Sequence, residues 1–287
     1  MLRHCRRKLP KGAEVGKIIW IASFPKSGNT WMRAFLANYI MDRTEPFPID
    51  ELRAFTLSDT RPRFFQEAAG RPVQQLTPEE TVKLRGKTQE LIADSKPHDH
   101  FVKTHSQNTI WTGNLLINPD VSKAAIYLVR NPLDLVSSYA AHLGTSINEA
   151  IDRMANDGNA SLELNYNVFT LIGSWEQHVT SWLNNDNFPK LLIKYENLLN
   201  DPNTEFSKVL NALGLAIEEK RLSRAIKFSS FKELSHQEEA NGFGERPPHA
   251  DRFFRKGVSE SWRNLLSPNQ VERIKTKHGQ VMKQLGY

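Results

Sequence analysis

The chain has little cysteine and no long apolar run, and each shortage excludes a class of protein. Its 287 residues contain one cysteine, Cys5. A single thiol excludes an intramolecular disulfide framework and a cysteine-based metal cluster, and it is compatible with a reducing cytoplasm. No stretch reaches the roughly 18 apolar residues of a membrane-spanning helix, and the N-terminal segment has no hydrophobic signal-peptide region. We therefore expect a cytoplasmic protein without a membrane span.

Acidic residues are also scarce near the N-terminus, where basic residues cluster between Arg3 and Lys11 and the first acid is Glu14. Such a run is usually a solvated, poorly ordered tail, so we expect a tail over residues 1–15 and one domain over residues 16–287. The net charge of +6 suits an anionic ligand and would also suit nucleic acid. No aromatic residues alternate with a basic stripe, and we expect no nucleic-acid partner.

Apolar runs typical of buried strands alternate with helical patterns along the chain. The runs are Ile18–Ala22, His100–Lys103, Lys123–Val129 and Leu191–Lys194. This alternation predicts a single α/β domain with a mostly parallel central sheet flanked by helices. The strand–loop–helix segment after the first run makes it a P-loop-like nucleotide-binding scaffold. Ligands of such sheets bind at the carboxyl ends of the strands. The residues that follow each run are therefore the candidate site residues.

The segments between these runs predict further elements. Helices are expected near Ile49–Phe55, as a cap over the site, and over Pro78–Asp94, where Thr77 and Pro78 form a typical helix start. Residues 235–253, which contain Gly242 among other glycines and prolines, predict a long flexible loop of the kind that covers binding sites.

The segment Phe24-Pro25-Lys26-Ser27-Gly28-Asn29-Thr30-Trp31 lies between the first strand and an amphipathic helix pattern. Free backbone N–H groups and the positive end of the helix dipole make this position an anion site. In the common ATP- or GTP-binding loop the lysine follows the last glycine, whereas here Lys26 precedes Gly28 and the leading glycine is missing. The order disfavours that loop, and a turn that only reverses the chain is the alternative.

A second strand-to-helix corner spans Val129 to Tyr139. Asn131 is the expected N-cap, followed by proline and an acid in the first turn, Asp134. Arg130 and Ser138 would face one crevice and bind a phosphate monoester through charge-assisted hydrogen bonds. The alternative is that Arg130 pairs with Asp134 and Ser138 faces solvent.

His105 ends the run Phe101-Val102-Lys103-Thr104-His105, which places it at the same edge of the sheet as Lys26. An imidazole with an ordinary pKa of about 6.5 can accept a hydroxyl proton near neutral pH. Lys103 precedes it by two residues and should point to the same face of the strand. A packing role for His105 and a solvated edge position for Lys103 are the alternatives.

Taken together, these motifs resemble those of the sulfotransferases that use 3′-phosphoadenosine 5′-phosphosulfate (PAPS). P-K-S-G-N-T-W resembles their 5′-phosphosulfate loop, K-T-H their base motif, and R-N-P-x-D-x-x-x-S-x-Y their 3′-phosphate site. The segment Arg252–Asn264 resembles their closing motif, F-x-R-K-G-x-x-G-D-W-K-N. The resemblance implies in-line transfer of a sulfuryl group to a hydroxyl, less often an amine, with release of 3′-phosphoadenosine 5′-phosphate (PAP) and without a metal.

The resemblance also assigns roles to residues of this chain. His105 becomes the general base, Lys26 stabilises the leaving phosphate, Lys103 assists at the sulfuryl oxygens, and Ser138 restrains Lys26 until an acceptor binds. Tyr195 lies beside the adenine, and Trp31 and Phe231 stack on it. The residues expected to bind the donor are Lys26, Ser27, Gly28, Asn29, Thr30, Trp31, Arg130, Ser138, Tyr195, Ser230, Phe231, Arg255, Lys256 and Gly257.

The chain departs from the family pattern in two places. Glu260 and Ser261 replace the usual Gly-Asp of the closing motif, and Ser106 follows His105 where Leu-Pro is common. The second departure bears on the shape of the acceptor pocket. A small molecule with a hydroxyl is expected as acceptor, without a prediction of its class, and a homodimer is a further possibility.

Two other functions are compatible with parts of the pattern. A nucleotide or small-molecule kinase would require the usual glycine-lysine order and a magnesium-binding acid at a strand end, and neither is evident. An inactive relative that binds nucleic acid would bind RNA or DNA in a salt-sensitive way.

Overall fold

A five-stranded parallel sheet forms the centre of the computed structural model, which describes residues 16–161, 168–255 and 257–287. The described strands are β1 (Ile18–Ser23), β2 (Leu57–Ser58), β3 (His100–Thr104), β4 (Ile110–Trp111), β5 (Asn114–Leu115), β6 (Ser122–Val129), β7 (Ala160–Ser161), β8 (Thr170–Leu171) and β9 (Lys190–Lys194). The order in the central sheet is β2-β3-β1-β6-β9, and every neighbouring pair is parallel. The other short strands form two antiparallel pairs, β4 with β5 and β7 with β8.

Helices cover both faces of the sheet. They are α1 (Asn29–Met41), α2 (Leu52–Phe55), α3 (Pro62–Ala69), α4 (Pro78–Ala93), α5 (Pro132–Leu143), α6 (Ile147–Ala155), α7 (Trp175–Leu183), α8 (Tyr195–Asn200), α9 (Pro202–Ala212), α10 (Glu219–Phe228), α11 (Phe231–Asn241), α12 (Trp262–Leu265) and α13 (Pro268–Gln284). Short 3-10 helices span Ile49–Glu51, Val73–Gln75 and Pro119–Val121. In the described ranges no helix is both long and apolar enough to cross a membrane.

Alternating side chains of the central strand supply two hydrophobic cores. Trp20 belongs to one cluster with residues of α5, α7 and α13, whereas its neighbour Ile21 belongs to another with residues of α1 and α9. Successive side chains of a strand point to opposite faces, so a strand covered on both faces is apolar throughout. This explains why β1 has the sequence IIWIAS, with five of its six residues buried.

The predicted fold class is confirmed, and the four predicted strands are present within one residue of their expected ends. The two predicted helices are also present, the first beginning as a 3-10 turn at Ile49. The prediction of a loop over residues 235–253 is wrong at its start. Ser230 accepts a hydrogen bond from the Glu233 backbone and begins a helix that continues to Asn241. The basic tail over residues 1–15 lies outside the described residues.

The parallel strands bring five chain segments to one edge of the sheet. In spatial order, Asp59 follows β2, His105 lies just beyond β3, the phosphate loop follows β1, Arg130 follows β6 and Tyr195 follows β9. His105 therefore lies between the segment after β2 and the loop after β1. This order determines which side chains share the cleft above the sheet.

Candidate active site

The loop between β1 and α1 has the geometry of an anion-binding loop. Gly28 has a left-handed backbone (φ 99°), and no side chain of the described residues caps the helix that follows. The first N–H groups of α1 are therefore free to bind an anion. The Asn29 side chain donates to the Ile21 carbonyl at 2.9 Å, which ties the loop to β1. The Ser27 hydroxyl is buried without a hydrogen-bond partner in the described structure.

Lys26 lies in this loop in a left-handed conformation (φ 70°), with its ammonium 3.8 Å from the centre of the Phe253 ring. Burial, together with the positive charges of Lys103, Arg130 and Arg255, lowers the pKa of Lys26 to about 8. In the described residues its ammonium contacts this ring and makes no hydrogen bond to Ser138. Lys26 is a half-buried cation near other cations, so a bound anion would stabilise its charged form.

Arg130 leaves the end of β6 and connects the two predicted anion sites. Its guanidinium donates to the carbonyl oxygens of Lys26 at 3.3 Å and Val258 at 3.1 Å, and it lies 4.3 Å from the centre of the Tyr195 ring. Its Nε atom is buried and has no partner within the described part of the chain. Ser138, two turns along α5, lines the same cavity.

The alternative that Asp134 pairs with Arg130 is wrong. The Asp134 carboxylate instead binds the closing segment, Glu260–Trp262. It accepts the backbone N–H groups of Glu260 at 2.7 Å and Trp262 at 3.1 Å, and the Ser261 hydroxyl at 3.2 Å. Three hydrogen bonds to one buried carboxylate fix this segment against the start of α5.

Glu260, which replaces the glycine of the family pattern, fits the closing segment without placing its charge at the anion sites. Its backbone is left-handed (φ 60°), a conformation that favours glycine and explains the glycine of the family pattern. Its side chain is 71% exposed and lies 3.4 Å from Arg263. The glutamate charge therefore points to solvent, away from the anion sites.

The residues before Glu260 approach the same helix. The Arg255 guanidinium donates to the Ser137 carbonyl at 3.3 Å. Gly257 is left-handed (φ 61°) and packs so closely that a Cβ atom would lie 2.4 Å from Phe231. Lys256, also predicted to bind the donor, lies outside the described residues.

The predicted adenine contacts line one end of the cavity. Trp31 packs edge-to-face on Tyr195, with ring centres 5.8 Å apart, and its indole N–H is buried without a partner among the described residues. Phe231 packs against Phe254 and lines the same cavity as Trp31. Ser230, predicted to bind the donor, caps α11 with its hydroxyl. The stacking role remains a prediction.

His105 is held in one tautomer at the end of β3. Its Nδ1 atom lies 2.8 Å from the Ser23 carbonyl oxygen. A carbonyl only accepts, so Nδ1 carries the proton and Nε2 keeps its lone pair. Burial, followed by the charge of Lys103, lowers the pKa of His105 well below its usual 6.5. The imidazole is therefore neutral near pH 7, the state that a general base requires.

The main missed residue is Glu245, in the loop after α11. It receives the guanidinium of Arg33 at 2.8 Å and the ammonium of Lys103 at 2.9 Å. Lys103 is therefore mostly buried and paired, not a solvated edge residue. Arg33 is buried on α1, and these two cations hold the pKa of Glu245 well below its usual value. No local motif indicated the pairing.

Two further residues that the sequence did not indicate position the site. His178 accepts a hydrogen bond from the Tyr127 hydroxyl at 2.9 Å and donates to the His105 carbonyl at 3.2 Å. Glu238 accepts the backbone N–H groups of Phe253 at 2.7 Å and Phe254 at 2.9 Å. His178 thereby supports the candidate base, His105, and Glu238 supports the Phe253 ring that Lys26 contacts.

One large cavity joins these groups. It has a volume of about 1980 Å³ and is lined by Lys26, His105, Arg130, Ser138, Tyr195 and Phe231, among others. Within the described ranges no group of three or more histidine, cysteine or acidic side chains is placed to hold a metal ion. The two candidate anion sites at strand ends and a neutral histidine thus share one cleft.

Comparison with known families identifies this arrangement. The model of the sulfotransferase domain matches residues 17–286. The chain belongs to the sulfotransferase family. The resemblance inferred from the motifs is thereby confirmed, and a kinase is not favoured.

Relatives and solved structures agree with this assignment. Sulfotransferase 1A1 of Canis lupus familiaris is 25% identical over 93% of this chain and 83% of its own. Flavonol 3-sulfotransferase of Flaveria bidentis is 24% identical over 89% and 78%. A retinol dehydratase solved with androsterone and PAP has a TM-score of 0.63 at 18% identity, covering 93% of this chain and 80% of its own. The last similarity shows the shared fold.

Proposed function

We propose that this sulfotransferase moves the sulfuryl group of PAPS to the hydroxyl of a small-molecule acceptor. The observation that supports it most is the position of a neutral His105 in the same cavity as two strand-end anion sites. A donor with phosphates at its 5′ and 3′ positions requires two such sites, and ATP would require one. Relatives named as flavonol and 3-beta-hydroxysteroid sulfotransferases support a hydroxyl acceptor.

The residues present fit this donor. Buried polar atoms without partners in the described structure, at Ser27, Trp31 and Arg130, lie along the loop and the end of β6. A phosphate would satisfy the free amides of the loop, and the positive field of Lys26 and Arg130 favours an anion. Arg255 and Gly257 would close over the 3′-phosphate, with Ser138 beside it.

PAPS supplies the sulfuryl group: the acceptor oxygen bonds to sulfur, the bond from sulfur to the bridging phosphate oxygen breaks, and a sulfate ester and PAP result. Nε2 of His105 takes the hydroxyl proton, so the acceptor oxygen gains nucleophilic character. The Lys26 ammonium lies in the loop where negative charge develops and stabilises it. Lys103, paired with Glu245, contributes its positive field from the neighbouring strand. A cytoplasmic location is part of the proposal.

Ligand-induced stabilisation tests the donor assignment. At 100 times its dissociation constant a ligand stabilises the folded state by about 2.7 kcal/mol, so PAP should raise the melting temperature much more than ATP at the same concentration. Equal shifts, or none, would contradict the proposal. Transfer of labelled sulfuryl from PAPS to a panel of phenols and hydroxysteroids tests the reaction itself. A salt-sensitive shift with RNA in place of PAP would favour a nucleic-acid-binding relative.

A further inference from the structure

A group of arginines lies on the other side of His105 from the donor loop. Arg53 is on α2, and Arg61 and Arg63 follow β2, the edge strand next to β3. All three line the large cavity. Because β2, β3 and β1 are neighbours in that order, His105 at the end of β3 lies between the segment of Arg61 and Arg63 and the loop of Lys26. A molecule with its hydroxyl at His105 would extend its remote end toward them.

The carboxylates that line this cavity do not neutralise the group. In the described residues they are Asp59 and Glu245. Asp59 is bound by the fully buried Arg85 at 2.9 Å and by the Thr104 hydroxyl at 2.9 Å. Glu245 is bound through both oxygens by Arg33 and Lys103, and Arg53 approaches it only to 3.9 Å. Each carboxylate is thus already matched by other cations.

Among the described residues, Arg61 and Arg63 form no ion pair with a carboxylate, and Arg53 has only the long contact of 3.9 Å to Glu245. Arg53 donates to the Gly244 carbonyl, and Arg61 donates to the Arg53 carbonyl. The Arg63 guanidinium lies 4.3 Å from the centre of the Phe64 ring, whose quadrupole attracts a cation. Neutral carbonyls and a ring therefore make the short contacts of these guanidinium groups, and Glu245, which already binds two other cations, is the carboxylate nearest to Arg53.

The charges are close enough to affect one another. Burial lowers the pKa of Arg61, and the charges of Arg63, Arg53 and Arg33 lower it further. Like charges held together at the wall of a cavity raise the local potential, and a bound anion relieves their repulsion. Guanidinium groups are suited to this role because they bind carboxylate, phosphate and sulfate oxygens in pairs of hydrogen bonds.

We propose that the acceptor carries an anionic group in addition to its hydroxyl, and that Arg53, Arg61 and Arg63 bind this group. The proposal rests on the proposed function for the position of the hydroxyl. The shared chemistry is a carboxylate, phosphate or sulfate at one end of the acceptor. The arginines then orient the molecule, so that its hydroxyl lies at His105 and its charge lies away from the donor.

Anion binding to the protein saturated with PAP tests the proposal without activity. Because PAP fills the donor site, further stabilisation by added phosphate, sulfate or acetate reports a second anion site. We expect these ions to raise the melting temperature of the wild type, and to have little effect on Arg63→Glu or on a variant with Arg53, Arg61 and Arg63 all changed to Gln. The control is Arg71→Gln, which removes an exposed arginine that pairs with Glu80 outside the cavity.

Two results would overturn the proposal: no shift in the wild type, or the same shift in Arg63→Glu as in Arg71→Gln. Arg63→Glu keeps the backbone contacts of Arg53 and Arg61, so misfolding of the triple variant would not obscure the answer. Failure of PAP itself to stabilise the protein would count against the proposed function. A shift with the small anions that depends on the arginines would then still support the anion site.

Acceptor kinetics provide the second test and distinguish the anions. The probes are 3-(4-hydroxyphenyl)propionate, 4-hydroxybenzylphosphonate and 4-hydroxybenzenesulfonate, each compared with neutral tyrosol. We expect at least one anionic probe to have a KM about tenfold lower than tyrosol, the size of one charge-assisted hydrogen bond. Arg63→Gln should remove that preference, with little change in kcat. A preference for tyrosol over all three would refute the proposal.

Discussion

His105 and Ser23 are joined by a hydrogen bond of 2.8 Å from the imidazole Nδ1 to the backbone carbonyl oxygen. Ser23 is the last residue of β1, so the strand that leads into the phosphate loop also orients the candidate base. The bond leaves Nε2 unprotonated and aims the base from the end of β3 into the cleft.

The first prediction concerns the pH dependence of this base. Because the pKa of His105 lies well below 6.5, the imidazole stays neutral as the pH falls from about 8 to about 6. We expect kcat/KM, which reports the free enzyme, to show no loss centred near pH 6.5. His105→Ala should abolish transfer and retain the stabilisation by PAP. Retained turnover would place the base elsewhere.

A second prediction concerns Lys26, whose pKa of about 8 lies within an accessible range. The protonated form binds an anion better, so PAP binding should weaken as the pH rises above about 8. Bound PAP should raise the pKa of Lys26 well above 8. The affinity for PAP should then fall about tenfold for each pH unit above about 8. Calorimetry of PAP binding across this range is the measurement. Lys26→Met should bind weakly with a flatter pH profile; an unchanged profile would assign the titration to another group.

The close packing of Gly257 supplies a third prediction with a matched control. Gly257→Ala places a Cβ 2.4 Å from Phe231 in a left-handed backbone, whereas Gly70 has a similar φ of 71° and open space around it. Both changes should cost about 1 kcal/mol of stability from the backbone conformation. Only Gly257→Ala should also weaken PAP binding, because it displaces the closing segment and the ring. Equal affinities in the two variants would contradict this.

The fourth prediction concerns the buried pairing of Glu245. Glu245→Gln leaves Arg33 and Lys103 without a counter-charge, and we expect the free energy of unfolding to fall by about 2 kcal/mol. The pKa of Glu245 lies well below 4.5 in the folded protein, so its contribution is complete above its unfolded pKa. That contribution is lost as the pH falls through the folded pKa.

Chemical denaturation near neutral pH measures this effect. Glu239→Gln is the matched control, because Glu239 is 67% exposed and lies 3.5 Å from Arg252. Exposed pairs contribute little, so the control should change stability by less than about 0.5 kcal/mol. A change in Glu245→Gln no larger than this would show that the pairing is not a stabilising one.

Much of the fold was readable from short segments. The pattern of β1 and the proline and asparagine at the start of α5 identified their elements, since strand burial and helix capping depend on neighbouring residues. The helix over Phe231–Asn241 was missed because its polar residues and the glycines after it resemble a loop. Ser230 caps the start of this helix locally, and the bonds from Phe253 and Phe254 to Glu238 hold its later turns against another segment.

By itself the sequence determined the family and the donor-binding motifs, because a phosphate loop is a local device made of consecutive amides, one lysine and a helix start. Tertiary structure decided which charges face one another. Glu245 lies 142 residues from Lys103 along the chain, yet it binds this lysine at 2.9 Å. Packing of the loop after α11 pairs Glu245 with Lys103 and Arg33. Coulombic interactions depend on distance in space, which no local pattern in the sequence encodes.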